Sequence, residues 1–228
     1  MSSGLWPPRC VVCALAVDDR SAESEILCAT CAELLPIASG RCARCTLPLA
    51  RDVDVCGRCL QRPPAFDAAY AAWLYQLPVS ALVQRFKFHG ALAEGRVLAE
   101  GMAARLAEQA APRPQLLVPV PLHWRRRWRR GYNQSELLCR DLSARLGGLP
   151  WAPLLTRLRP TPVQSALPAS RRRGNVRDAF SLQRMPPGLD HVALVDDVMT
   201  TGATLDECAR VLKRAGVGRV DVWVAARA

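Results

Sequence analysis

Four Cys-x-x-Cys pairs lie within residues 10–59 and use eight of the chain's ten cysteines. The pairs are Cys10/Cys13, Cys28/Cys31, Cys42/Cys45 and Cys56/Cys59. Each pair can present two thiolates to one ion, and two pairs complete the tetrahedral Cys₄ set of a structural zinc site. The cysteines therefore predict a small zinc-ribbon module with two structural zinc ions, in which metal binding replaces a hydrophobic core. An ion bound by four thiolates has no open position for catalysis.

The spacing does not decide how the four pairs share the two ions. Sequential pairing, in which the first two pairs hold one ion and the last two hold the other, is the simplest arrangement, but a crossed arrangement satisfies the same spacing. A redox-active Cys-x-x-Cys is the alternative to a zinc ligand pair, and the density of pairs disfavours it. The remaining cysteines, Cys139 and Cys208, lie in stretches of helical character, where a thiol most often packs as a small apolar side chain.

Pro63-Pro64 marks the predicted boundary between the cysteine-rich module, residues 1–62, and a second domain, residues 63–228, because paired prolines interrupt helices and central strands. We predict strands over 66–75, 116–120, 192–195 and 219–225, and helices over 78–88, 91–109, 135–147 and 203–214, with Ser135 as a helix cap. This order favours an α/β domain with a mainly parallel sheet. Residues 159–180 show neither the helical nor the strand spacing of apolar residues, and we expect them to form a mobile lid.

The segment VALVDDVMTTGATL, residues 192–205, predicts a ligand site. Four apolar residues place Asp196 and Asp197 at the carboxyl end of a buried strand, where open α/β sheets bind ligands. The Thr-Thr-Gly turn then leads into a helix, so that backbone N–H groups and the positive helix end converge on one anion. The two carboxylates would repel that anion, but they can accept hydrogen bonds from neighbouring ribose hydroxyls or hold a metal ion. A ribose 5-phosphate suits both parts of the segment, because its hydroxyls can donate to the carboxylates and its phosphate can bind at the turn.

This segment resembles the signature with which type I phosphoribosyltransferases bind 5-phosphoribosyl-1-pyrophosphate (PRPP). The resemblance implies that Asp196 and Asp197 hold the ribose hydroxyls at the catalytic centre, and that Mg²⁺ binds together with PRPP. It assigns the turn to PRPP binding through Thr200, Thr201, Gly202, Ala203 and Thr204. Purine-salvage relatives often carry an acidic residue where this chain has Thr200, which disfavours a purine base as the acceptor.

Residues 118–135, VPVPLHWRRRWRRGYNQS, match the second half of such a site. In the resemblance, the turn after this strand holds the pyrophosphate of PRPP. The candidate contacts are Val120, Pro121 and Leu122 in the turn, and Arg130 and Asn133 near the start of the next helix.

The same region interleaves aromatic side chains with arginines, a pattern typical of single-stranded DNA binding, in which bases stack beside a positively charged track. The candidate nucleic-acid contacts are Trp124, Arg126, Arg127, Trp128 and Arg129. Spacing at i, i+4 and i+8, with Tyr132 as the third ring, suits core packing equally well, and an arginine run can simply solvate a helix face. The net charge of +11, lowered to about +7 by two Cys₄ zinc centres, is compatible with polyanions or a phosphorylated ligand.

Over nearly its whole length the chain resembles the competence protein F family, whose members join a cysteine-rich zinc module to a phosphoribosyltransferase domain. Further segments that carry the resemblance are CGRCLQRPPAFD, RFKFHG and TPVQSALPASRRRGNV. It implies a role in natural transformation, with single-stranded DNA and DNA-uptake proteins as partners. The chain would then be a phosphoribosyltransferase whose acceptor the sequence does not name, or a non-catalytic DNA-binding adaptor or PRPP sensor on the same fold.

The sequence also predicts a cytoplasmic protein without a membrane span. No stretch approaches the ~18 consecutive apolar residues of a membrane helix, and the start MSSGLWPPRC lacks the charged and apolar regions of a signal peptide. Cysteines at metal-ligand spacing are typical of a reducing compartment.

Overall fold

The computed structural model of the chain describes residues 8–17, 24–49, 53–159 and 178–228, except for the side chain of Arg126. The strands are β1 (Ala68–Leu74), β2 (Leu116–Pro119), β3 (Leu155–Arg157), β4 (Phe180–Leu182), β5 (His191–Met199) and β6 (Arg219–Arg227). The helices are α1 (Ala29–Glu33), α2 (Gly57–Gln61), α3 (Val79–Phe88), α4 (Leu92–Glu108), α5 (Trp124–Arg130), α6 (Gln134–Arg145) and α7 (Ala203–Arg214).

The main sheet has four strands in the order β1-β6-β5-β2, and each neighbouring pair is parallel. This confirms the predicted α/β class with a mainly parallel sheet. The two central strands, β5 and β6, are rich in apolar residues because both faces of a parallel sheet are covered. The crossovers bring the carboxyl ends of β2 and β5 to one edge of the sheet, which is where the predicted ligand site belongs.

Successive residues of β5 enter two different cores. Leu194 packs on the face covered by α7, and Val195 packs on the face covered by α3, α4 and α6, as the alternation of side chains along a strand requires. Cys208 lies in the first core and Cys139 in the second, and both are fully buried. Burial raises the pKa of both thiols well above its ordinary value, in agreement with their assignment as packing residues.

The cysteine-rich module straddles the edge strand β1. Its first half contributes Val17, Leu27 and Leu35 to the core that contains α3 and α4. Its second half, which carries Cys42 and Cys59, belongs to the core on the α7 face. The two halves of the module therefore pack against opposite faces of the same sheet.

Several elements differ from the sequence prediction, and α1, α2 and α5 are helices that it did not include. β5 continues to Met199 instead of ending at Val195, because its pairing with β6 extends to the Met199–Arg227 register. α6 is capped by Asn133, whose side chain accepts from the Ser135 N–H at 3.2 Å, so the prediction of Ser135 as the cap is wrong. The antiparallel pair of β3 and β4 was not predicted.

The predicted lid over 159–180 lies mostly outside the described residues, which end at 159 and resume at 178. Within the described part of the chain, no helix combines the length and the apolar character needed to cross a bilayer.

Candidate functional site

A cavity of about 420 Å³ lies at the carboxyl ends of β2 and β5, beside the first turn of α7. It collects residues that are distant in the sequence. Ten of the twelve predicted PRPP contacts line it: Val120, Pro121, Leu122, Arg130, Asp196, Asp197, Thr200, Gly202, Ala203 and Thr204. The other two predicted contacts, Asn133 and Thr201, are not part of this lining, but their side chains bond to the backbone of Val120 and Ala203, which are.

The two carboxylates at the end of β5 have different partners. Asp197 is buried and its Oδ1 lies 2.9 Å from the Nζ of Lys87. Oδ1 of Asp196 accepts from the Ser135 hydroxyl at 3.0 Å and from the Asp197 N–H at 2.9 Å. Burial, and next the charge of Asp197, raise the pKa of Asp196 to about 7, although Lys87 and Ser135 act in the opposite direction. One carboxylate is thus ion-paired, while the other titrates near neutrality.

Lys87, at the end of α3, is a residue of the site that the sequence did not predict. Burial disfavours its ammonium form, but the carboxylate of Asp197 outweighs that effect and raises the pKa of Lys87. The Lys87 carbonyl also accepts from Gln134 Nε2 at 3.3 Å, which ties α3 to the start of α6. The cation offsets part of the repulsion that two carboxylates would exert on an anionic ligand.

The turn between β5 and α7, which we call the Thr-Gly loop (residues 199–203), has the backbone that an anion site requires. Gly202 adopts φ +74°, in the left-handed region that favours glycine. The N-cap residue of α7, Gly202, makes no side-chain hydrogen bond to the helix, and the Thr201 hydroxyl accepts from the Ala203 N–H at 3.4 Å. Gly202, Ala203 and Thr204 all line the cavity. The loop thus brings the N-terminus of a helix, which favours anions, to the cavity wall.

The turn after β2 offers one backbone donor. The Val120 N–H is engaged with the Val195 carbonyl at 3.0 Å, and Pro121 has no N–H. This leaves the Leu122 N–H as the candidate backbone contact for a ligand. Asn133 holds the turn from behind, because its Nδ2 donates to the Val120 carbonyl at 3.1 Å while its Oδ1 caps α6.

Two arginines extend the positive lining of the cavity. The Arg130 guanidinium lies 4.8 Å from the centroid of the Phe88 ring, and that of Arg157 lies 5.3 Å from the centroid of Phe180. Both residues line the cavity. Arg157 was not predicted, since the short β3 strand that carries it has no distinctive sequence pattern.

Helix α5 presents its tryptophans to solvent. Trp124 is 62% exposed and Trp128 is 87% exposed, so core packing is excluded for both rings. Tyr132 does pack, because its ring lies 6.2 Å from that of Phe86 and its hydroxyl donates to the Phe86 carbonyl. Arg127 and Arg129 are exposed on the same helix, and Arg127 pairs with Glu136 at 2.9 Å. The side chain of the candidate Arg126 lies outside the described residues.

The eight cysteines form two clusters, each with its sulfur atoms within 4.8 Å of one another. The first zinc centre comprises Cys10, Cys13, Cys28 and Cys31, and the second comprises Cys42, Cys45, Cys56 and Cys59. This confirms sequential pairing over the crossed arrangement. Sulfurs of successive pairs lie 3.8 Å apart in the first centre and 3.7 Å apart in the second. A tetrahedron with Zn–S bonds of about 2.3 Å has edges of about 3.8 Å, so both sets fit zinc.

Residues 1–60 match the family model described as a double zinc ribbon domain. The chain is 38% identical over 205 residues to DNA utilization protein YhgH of Salmonella typhi, covering 88% of this chain and 90% of that protein. It is 39% identical over 193 residues to competence protein F of Haemophilus influenzae, covering 82% and 84%.

Similar solved structures include a purine phosphoribosyltransferase from Pyrococcus horikoshii, with 15% identity, a TM-score of 0.36 and coverage of 58% of this chain and 82% of that one. A xanthine-guanine-hypoxanthine phosphoribosyltransferase from Helicobacter pylori has 13% identity, a TM-score of 0.33 and coverage of 69% and 88%.

Proposed function

This chain belongs to the family of competence protein F and DNA utilization protein YhgH, and from that premise we propose that it is a PRPP-binding protein of phosphoribosyltransferase type that acts in DNA uptake or utilization. The observation that carries the proposal is the cavity in which the carboxylate pair, the Thr-Gly loop and the turn after β2 meet. The lining also includes the cationic side chains of Lys87, Arg130 and Arg157, which suit a ligand that carries several phosphate groups.

Each part of the cavity has a role in this proposal. The first N–H groups of α7, with the hydroxyls of the Thr-Gly loop and of Thr204, bind the 5-phosphate. Asp196 and Asp197 accept hydrogen bonds from the ribose hydroxyls. The Leu122 N–H, Arg130 and Lys87 then contact the pyrophosphate. Carboxylate oxygens are also the ligands that Mg²⁺ uses, and Mg²⁺ bound with PRPP would supply positive charge to the departing pyrophosphate.

In a transfer reaction, the bond between C1 of the ribose and the pyrophosphate oxygen breaks, and its electron pair leaves with pyrophosphate. The nucleophilic atom of the acceptor forms the new bond to C1 and gives up its proton. The residues that line the cavity would act mainly by holding the two phosphate ends and stabilising charge on the leaving group. An acceptor other than a purine base is favoured, because position 200 is a threonine.

Calorimetric titration with PRPP, with and without Mg²⁺, tests this proposal. The wild type should bind, and the variant with Asp196→Asn and Asp197→Asn should lose binding while it keeps both zinc ions and its fold. The matched control is Asp141→Asn, which removes a partly exposed carboxylate of α6 that pairs with Arg140 and does not line the cavity. Equal PRPP affinity in the double variant and the control would refute the assignment.

A second function, binding of single-stranded DNA, is favoured by the exposure of Trp124 and Trp128 beside the exposed arginines of α5. Exposed rings offer stacking platforms for bases, and arginines neutralise phosphates. Fluorescence anisotropy with a labelled oligothymidine tests it. Trp124→Ala with Trp128→Ala should weaken binding without loss of thermal stability, whereas Trp151→Ala, the control at another partly exposed ring, should leave binding unchanged.

A further inference from the structure

The Thr-Gly loop is held from behind by a buried arginine near the end of the chain. Arg227 in β6 is 4% exposed, and its Nη1 donates to the carbonyls of Met199 at 3.0 Å and Thr200 at 2.6 Å. Its Nε donates to the Cys45 carbonyl at 3.0 Å. One guanidinium therefore connects the loop to a ligand residue of the second zinc centre.

A second arginine reaches the loop from the zinc-ribbon module itself. Arg58 lies in α2, between the zinc ligands Cys56 and Cys59, and its Nη2 donates to the Thr201 carbonyl at 2.6 Å. Next to this contact, Asp206 in the first turn of α7 accepts from the Ala65 N–H at 2.6 Å. The three successive carbonyls of residues 199, 200 and 201 thus all bond to guanidinium groups on the side of the second zinc centre.

This arrangement has a direct consequence for the N–H groups of the loop. In a trans peptide, the carbonyl of one residue and the N–H of the next point in opposite directions. Holding three carbonyls toward the zinc ribbon therefore turns the N–H groups of Thr200, Thr201 and Gly202 away from it. Thr200 and Gly202 line the opposite cavity, so these are the N–H groups that would meet a phosphate.

We propose that Arg58 and Arg227 are positioning residues for the 5-phosphate of PRPP, and that the second zinc centre acts through them as the support of the Thr-Gly loop. This proposal rests on the proposed function. Both guanidiniums also place positive charge behind the loop, which favours a phosphate dianion in front of it. Neither residue lines the cavity at the carboxylate pair, so their effect on the ligand is indirect.

Arg58→Ala is the informative variant, because Arg58 is exposed and its removal leaves the cores intact. It should weaken PRPP binding roughly tenfold, as loss of a charge-assisted hydrogen bond predicts, with two zinc ions and the thermal midpoint retained. Arg62→Ala is the matched control, since Arg62 caps the same helix and makes no bond to the loop carbonyls among the described residues. Arg227→Lys keeps the charge but replaces the planar guanidinium, whose Nε and Nη1 reach separate carbonyls, by a single nitrogen, and it should also weaken binding.

Hydrogen–deuterium exchange over residues 199–203 provides a readout that needs no ligand. Exchange should be faster in Arg58→Ala and Arg227→Lys than in the wild type and Arg62→Ala. Unchanged exchange and unchanged PRPP affinity in Arg58→Ala would overturn the positioning role while the proposed function stood. A wild type that binds no PRPP would overturn the proposed function, and a faster exchange in the variants would then still support the role of the arginines in holding the loop.

Discussion

The two zinc centres have the same ligand set but different surroundings. All four cysteines of the second centre are buried, and the centre lies against the Thr-Gly loop. In the first centre Cys13 is exposed and Cys28 is partly exposed. That centre lies on the opposite face of the sheet, where Arg85 of α3 donates to the Val11 carbonyl and the Leu74 N–H donates to the Pro36 carbonyl at 2.8 Å.

A repeated metal motif therefore need not have a repeated role. Both centres stabilise local chain segments that are too short to form a core of their own. Among the described residues, only the second is connected to the loop that forms the candidate phosphate site, through Arg58 and Arg227. The first contacts α3 and the end of β1. If function follows this division, matched variants of the two centres should behave differently.

The largest expected effect is a difference in PRPP affinity between matched cysteine variants of the two zinc centres. Cys45→Ser should remove zinc from the second centre and weaken PRPP binding roughly 100-fold, because the loop loses its support. Cys13→Ser should remove zinc from the first centre and change PRPP affinity by no more than about threefold, since that centre lies on the other face. Elemental analysis and calorimetry measure both quantities. Equal losses of PRPP affinity in the two variants would contradict the division.

The next effect concerns the proposed DNA-binding residues of α5, whose affinity for DNA should be independent of the second centre. Trp128→Ala should weaken oligothymidine binding by roughly 1 to 3 kcal/mol without changing its salt dependence, because stacking is not ionic. Arg127→Ala with Arg129→Ala should instead make the plot of log binding constant against log salt concentration less steep. The slope should fall by about 0.7 for each phosphate that is no longer neutralised.

Anisotropy titrations over a range of salt concentrations separate these two contributions. In Cys45→Ser the affinity for oligothymidine should stay within about threefold of the wild type. A joint loss of DNA and PRPP binding in that variant would show that the two surfaces depend on the same support.

A smaller effect is expected in the rates at which the two ions leave. A metallochromic chelator should remove zinc in two phases, with the first centre roughly tenfold faster, because its ion is reached through the exposed Cys13 whereas the second is enclosed by buried thiols. Cys13→Ser should abolish the fast phase, and Cys45→Ser the slow one. A single phase in the wild type would remove the evidence for unequal access.

The smallest expected effect is a difference between the metal centres and Asp196 in how their contributions to folding stability depend on pH. Because the folded protein holds the pKa of Asp196 at about 7, above its ordinary value of 3.8, the folded state binds the extra proton and this group's contribution to stability falls as pH rises from about 4 to about 7. The groups that face it are Asp197, Lys87 and Ser135. The contribution of the zinc centres to stability changes with pH in the opposite direction. It is lost at low pH, because protonation of the thiolates releases the metal.

Asp196→Asn should therefore gain stability relative to the wild type as pH is raised from 5.5 to 8, by on the order of 1 kcal/mol. Urea unfolding at both pH values measures this difference. A difference in stability between Asp196→Asn and the wild type that stays the same at both pH values would contradict the raised pKa of Asp196.

Local pattern was enough to predict part of this molecule. Strand β5, which carries the aspartate pair, and helix α7 after it could be predicted. The spacing of apolar residues and the turn residues that indicate them lie within a few neighbouring positions. The eight zinc ligands followed from the two-residue spacing within each Cys-x-x-Cys pair. By contrast, Asn133 replaced Ser135 as the cap of α6 because the choice between neighbouring capping residues depends on where the preceding turn lies.

The eight zinc ligands, the α/β class and the aspartate pair with its Thr-Gly turn could all be predicted from the amino-acid sequence, since each depends on residues close together in the chain. The three-dimensional packing was needed to show which pairs share an ion, which rings of α5 face solvent, and that Lys87 meets Asp197. It also brought Arg58 and Arg227 to carbonyls that are 143 and 27 positions away in the chain. Such contacts depend on the packing of whole elements, and no local period or spacing encodes them.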